Sequence, residues 1–221
     1  YTSEGCARCP HTERMLASLR AQGYGADRVA PFVLHAEYRD YTGPPDAYAK
    51  RAFATRQRKL AQLRRATLVF TPQVLLQGKG FHGWDSPAFA AAVAEINDRL
   101  PRARLGVTLH AIGTTVAEVE VAAELLDGVQ RKDAVLYLAA YEDKRASRVT
   151  AGEYRATPPN HEFVVREWLG PIRFKKGLKI TERRSLPLLP GANPKHSGVA
   201  TFVQNRASGE VLQALMLEPC S

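Results

Sequence analysis

The sequence predicts an α/β domain followed by an all-β, sandwich-like domain, and three observations carry that expectation. From residue 1 to about 100, short apolar runs alternate with amphipathic helical stretches, the pattern of a parallel-sheet α/β unit. At Pro101-Arg102-Ala103-Arg104 a linker-like stretch intervenes, and beyond it the periodicity changes from helical to two. Cys6-Ala7-Arg8-Cys9-Pro10 stands where a strand end runs into the first helix. At 221 residues the chain divides naturally into domains 1–102 and 103–221.

Tyr1 to Gly5 read as the end of a strand whose body precedes Tyr1, so the first strand is expected to be truncated and any secretory leader to lie upstream. Pro10 suits a helix start, where its missing N–H is not needed. The stretch from Pro10 to Gln22 then places Met15, Leu16 and Leu19 at helical spacing before Gly23 ends it. Residues 29–38 alternate as a strand does. After Gly43-Pro44-Pro45 a long helix is expected from Asp46 to Arg65, and then an apolar run from Thr67 to Leu76 broken by Thr71-Pro72. Gly78 and Gly80 turn the chain towards a short edge segment at Phe81, and Ser86 to Leu100 gives a third helix. In the second half, strands are expected at 105–111, 115–125, 133–142, 162–169, 177–183, 198–205 and 210–217, with a hairpin loop over Asn205 to Gly209.

Composition excludes more than it assigns. The 45% apolar and 24% charged residues are ordinary for a globular chain, and no run approaches the ~20 apolar residues of a membrane-spanning helix. The net charge of +9 is concentrated partly between Lys50 and Arg65, which hold seven Lys and Arg. Without stacking aromatics or a recognition motif this supplies only non-specific electrostatics, so nucleic acid is not an expected partner.

The chemistry points to Cys6 and Cys9. Two thiols one helical turn apart at a helix N-terminus sit where unpaired backbone N–H groups and the helix dipole stabilise a thiolate. Arg8 adds positive charge, so the Cys6 pKa should fall below the free value of ~8.5. Cys6 would attack and Cys9 would resolve the mixed disulfide. A static disulfide, or a soft metal such as copper held by two thiolates, is the alternative that the spacing leaves open. A closed zinc site is not expected, because Cys220 is the one further cysteine and the remaining ligands would have to be recruited from distant histidines such as His11 or His35. Haem attachment needs a histidine directly after the second cysteine, where Pro10 stands. No cofactor is expected.

Thr71 and Pro72 are expected beside the Cys-x-x-Cys turn, with the bond between them cis and the Thr71 backbone free to pair with an extended substrate. His35, Glu37 and Tyr38, at the C-terminal end of the second strand, and Arg56 on the long helix complete the candidate substrate-binding set. Each has a plainer alternative, as a pocket wall or a solvated surface group. His110, His161 and His196 are scattered in sequence and read as satisfied polar residues.

With these motifs placed, the chain resembles a family of secreted bacterial thioredoxin-like proteins known chiefly as a domain of unknown function. The resemblance rests on Tyr1 to Pro10, His35-Ala36-Glu37-Tyr38-Arg39-Asp40-Tyr41, Ala54-Thr55-Arg56-Gln57-Arg58 and Thr71-Pro72-Gln73. His161 to Arg166 and Ala200 to Gln204 extend it into the second half. Arg39 and Pro44 depart from it, standing where other members tend to carry tryptophan. The resemblance implies an α/β thioredoxin-like domain over 1–102 ahead of the sandwich, a periplasmic or secreted location, and thiol-disulfide exchange with protein thiols or disulfides. It carries over no established substrate. A free sandwich edge would permit a homodimer.

Overall fold

The structure, a computed structural model, describes residues 1–37, 46–146, 160–188 and 192–219. Two antiparallel sheets form the second half. One takes β3 (Ala103–Ile112), β4 (Val116–Leu125) and β9 (Lys179–Pro187) in the order β3-β4-β9. The other takes β5 (Ala134–Glu142), β8 (Val164–Arg173), β10 (Ser197–Asn205) and β11 (Val211–Leu217) in the order β11-β10-β5-β8. The short strands β6 (Arg145–Ala146) and β7 (Asn160–His161) pair with each other. Between the two larger sheets lies a core of Val119, Val121, Leu136, Leu138, Leu186, Val199 and Val203.

Burial along the strands shows where a further layer must sit. In β4 buried residues alternate, with Ala117, Val119, Val121 and Ala123 facing inward, as expected of a sheet with one wet face. In β5 every residue is buried. Leu136, Leu138 and Ala140 point into the sandwich, while Val135, Tyr137, Ala139 and Tyr141 join clusters that include Val33, Leu34 and Phe53 from the first half. An uninterrupted apolar strand is the sequence signature of burial on both faces. Residues 1–102 supply the second cover.

That cover is not the α/β thioredoxin-like domain expected from the sequence, and the fold class is corrected accordingly: the chain is mostly β, with eleven strands and three α-helices among the described residues. The first half contributes α1 (Cys9–Ser18), α2 (Arg51–Leu63), α3 (Ala88–Asn97) and one hairpin of β1 (Leu75–Leu76) with β2 (Lys79–Gly80). The expected strand at 29–38 is reduced to two isolated parallel bridges, Thr2 with His35 and Val33 with Val164. Alternation reports burial of a stretch, whereas a sheet needs neighbours in register over several residues. Pro31 and Pro72 each remove a ladder donor from the runs in question. Within 67–76, Leu68 is 70% exposed, so that apolar run is no buried strand.

The extended pieces nevertheless add to the sandwich. Val33 N donates to Phe163 O and Val165 N to Val33 O, which puts residues 33–35 beside β8. Thr2 N donates to Leu34 O and Gln73 N to Tyr1 O, extending the same hydrogen-bonded array outward. Phe53, Ala54, Gln57, Leu60 and Ala61 form the buried stripe of α2, at the spacing of an amphipathic helix. After this helix Arg65 N bonds Gln62 O and Ala66 N bonds Ala61 O, a Schellman closure with Arg65 at φ 51° where glycine is usual. A non-glycine residue costs about 1 kcal/mol there. The hairpin turn holds Gln77 and Gly78 at φ 51° and 76°, the two-residue turn that matches strand twist.

Charged groups tie the halves together. The Arg56 guanidinium lies 4.8, 5.1 and 5.2 Å from the rings of Tyr137, Trp168 and Phe202 and donates to Gln204 Oε1 at 2.8 Å. Arg20 bonds Asp143 and Glu218 at 2.8 Å each, and Lys50 bonds Glu167 at 3.0 Å. No helix is long and apolar enough to cross a membrane among the described residues.

Candidate functional site

Cys6 and Cys9 form a disulfide, with their Cα atoms 5.4 Å apart. The turn that presents them is closed by Cys6 N bonding Ser3 O and Cys9 N bonding Cys6 O, both at 3.1 Å, and Cys9 opens α1 with Pro10 behind it. Cys6 is 3% exposed and Cys9 fully buried. The residues between them face outward. Ala7 and Arg8 line an open cleft of about 390 Å³ together with His11, Phe70, Pro72 and Trp84. The His11 ring lies 5.2 Å from that of Trp84, and its Nε2 is 3.7 Å from Asp85. A second cavity of about 430 Å³ shares Phe70, Pro72 and Trp84 with the first.

A buried charge cluster lies on the inner side. Glu13 follows Cys9 by one helical turn, so the two share the buried face of α1. Glu13 accepts from Thr2 Oγ1 at 2.5 Å, and its other oxygen is 2.8 Å from His161 Nδ1. Glu4, two residues before Cys6, approaches His161 Nε2 at 3.7 Å. Beside this pair, His35 Nδ1 is 2.8 Å from Asp46 Oδ2, and Asp46 also accepts from the N–H groups of Glu4 and Tyr48 at 2.9 Å each. The rings of His35 and His161 are 5.3 Å apart, and Tyr48 packs edge-on to both.

Each shift in this cluster has a cause. Burial pushes the Glu13 pKa up, but His161, His35 and the Thr2 hydroxyl outweigh it and hold the carboxyl below the ordinary glutamate value. Burial likewise opposes ionisation of Asp46, and the His35 contact with the two backbone N–H groups wins, leaving its pKa lowered. For His161 burial works downward, while Glu13 and Glu4 carry the value up to about 9. The raised His161 value and the lowered Glu13 value both favour an imidazolium against the Glu13 carboxylate under neutral conditions.

The predicted site residues separate into three groups. Arg8 and Pro72 line the cleft, and Thr71 is buried beside them, joined to Pro72 by a cis bond. His35 lies in the inner cluster. Arg56 stands apart from the cleft, in the aromatic stack between the halves, and half-buried Glu37 lines neither cavity. Tyr38 and Cys220 lie outside the described residues. Sequence reasoning missed Glu4, Glu13, Asp46, Phe70 and Trp84, named His11 only as a histidine that a closed zinc site would need, and read His161 as one of several scattered histidines. The spacing of Cys9 and Glu13 was the available signal for one of them. Among the described residues, no cluster of three or more His, Cys, Asp or Glu is arranged to hold a metal ion.

Two solved structures are similar to the chain over nearly its whole length. A protein from Agrobacterium tumefaciens is 21% identical, with a TM-score of 0.72 over 100% of this chain and 92% of its own. HBP35 of Porphyromonas gingivalis is 15% identical, with a TM-score of 0.73 over 98% of this chain and 72% of its own. At these identities the likeness establishes a shared fold alone. No curated protein matches the chain. The family model described as "Protein of unknown function (DUF1223)" matches residues 1–204, and the chain therefore belongs to the DUF1223 family.

Proposed function

We propose that this chain is an extracytoplasmic thiol-disulfide oxidoreductase acting on protein thiols through Cys6 and Cys9. The observation that supports this best is the placement of the disulfide at the N-terminus of α1, with an open cleft against Ala7 and Arg8. A partner thiolate reaching through the cleft attacks Cys6 Sγ, the Cys6–Cys9 bond breaks, and Cys9 leaves as a thiolate that takes up a proton. A second partner thiol, losing its proton, attacks the mixed disulfide at the partner's sulfur. The partner leaves oxidised by two electrons, and Cys6 is released as a thiolate at the positive end of the helix. The reverse sequence reduces a partner disulfide. Persistence of such a bond is favoured in an oxidising compartment, which agrees with a periplasmic or secreted location.

The burial of both cysteines favours one other reading, a static staple that locks the turn. Titration against glutathione separates the two. An exchanging couple equilibrates at a potential above about −300 mV, and the Cys6 thiolate of a Cys9→Ala variant attacks a disulfide-bonded peptide, breaking the peptide's S–S bond and accumulating the mixed disulfide. A bond that glutathione cannot open, with no trapped adduct, would leave only the staple.

A further inference from the structure

The two cavities meet at Phe70, Pro72 and Trp84, so they form one groove from Arg8, beside the disulfide, to Leu60 and Arg64 at the end of α2. Its floor is largely apolar, and among the described residues its ionisable lining residues are Arg8, His11, Arg64, Arg65 and His82, with Asp85 3.7 Å from His11 the acid nearest the lining. Surface arginines divide in this respect: Arg99 pairs with Glu95, Arg102 with Glu210 and Arg104 with Glu124, whereas exposed Arg14, Arg28, Arg51, Arg131 and Arg173 make no ion pair among the described residues. Arg8, Arg64 and Arg65 make no ion pair among the described residues. Arg65 holds its place at a left-handed backbone position that glycine would occupy more cheaply, and strained residues concentrate at ligand sites. Leu68, 70% exposed, stands on the same rim.

We infer that this groove binds an extended, acidic polypeptide segment, its apolar side chains lying along Leu68, Phe70 and Trp84 and its carboxylates against Arg8, Arg64 and Arg65. The inference rests on the exchange reading, to which it adds the substrate class. A partner so bound delivers its cysteine to the Arg8 end, where the disulfide lies. Charge sorts the partners, since the groove repels cationic segments, and the apolar floor demands an unfolded or extended one.

The test uses the oxidised wild-type protein and two fluorescent peptides that carry serine in place of cysteine, so that no covalent chemistry intervenes. One interleaves Glu and Asp with Leu and Phe; the other replaces each acid by Lys. Anisotropy should show the acidic peptide binding at least about tenfold tighter at low salt, with the margin collapsing between about 20 mM and about 500 mM NaCl. The double variant Arg64→Glu, Arg65→Glu should abolish the preference. Arg65→Gly should weaken binding several-fold while leaving the urea midpoint unchanged or raised, because it removes a cation and relieves the backbone together. Equal binding of both peptides, or an Arg65→Gly variant with undiminished affinity, overturns the inference, as does binding to anionic phosphatidylglycerol vesicles without peptide discrimination. Exchange with dithiothreitol is measured in parallel. Exchange without charge preference sinks the groove and spares the oxidoreductase; charge preference without exchange does the reverse.

Discussion

Raising the pH should loosen this fold through His161. The imidazole is fully buried between Glu13 at 2.8 Å and Glu4 at 3.7 Å, and its pKa is carried up to about 9 from an ordinary 6.5. A basic group whose pKa is higher in the folded state binds its proton more tightly there. The stability it confers is complete below about pH 6.5 and disappears as the pH climbs through about 9. At about 1.4 kcal/mol per pH unit the gap amounts to roughly 3 kcal/mol, a large part of the 5–15 kcal/mol typical of a domain. The depressed Glu13 value belongs to the same pair and is not counted again. Urea unfolding from pH 6 to 10 should show the wild type losing that amount relative to His161→Gln. The variant itself should be less stable by about 3–5 kcal/mol at pH 6, because the buried Glu13 carboxylate loses the cation 2.8 Å away. Taking the difference between the two proteins cancels what they share and leaves the contribution that depends on His161. Parallel stability curves across that range would refute the reasoning.

Three further outcomes are expected. Gly78→Ala places a Cβ 1.9 Å from the Gly209 carbonyl oxygen at a φ of 76°, and backbone cannot give way as a side chain does. About 1 kcal/mol for the left-handed position and about 1–3 for the overlap give a loss of roughly 2–4 kcal/mol in urea, and a loss below about 1 would contradict the packing. Phe53→Ala empties a fully buried site between Leu34, Ala139 and Val165, and should lower stability by about 3–5 kcal/mol. Arg56→Leu removes a cation from three aromatic faces and the donor to Gln204, at about 2 kcal/mol; near-ultraviolet dichroism should register the disturbed Trp168, and an unchanged spectrum would speak against the stack.

The strands beyond residue 103 were legible because their signals are local: β4 alternates, and β5 is apolar from Ala134 to Tyr141. That second pattern also held the clue to the three-layered packing, yet a continuous apolar strand does not say which part of the chain covers it. The first half misled for the opposite reason. Its apolar runs report contact with β5, β8 and β10 rather than pairing among themselves. Cys6, Cys9 and their place at the head of a helix were readable, because the turn and the helix are built from adjacent residues. The Glu13 and His161 pair was not, since it joins a helix at one end of the chain to a strand near the other, and only the folded sheet brings them together.

The seat of residues 33–35 against β8 also sets a timetable. A ribosome releases the chain from its N-terminal end, so the Cys6 and Cys9 turn emerges complete while the strand that Val33 must join has yet to be made. Until β7 and β8 exist, Glu13 has no His161 and Phe53 has no Val165 to rest on. The segment holding the two cysteines is thus synthesised before the strands it packs against, and long-range pairing of this kind is slow. During that interval the two cysteines lack the cover that buries them in the finished fold.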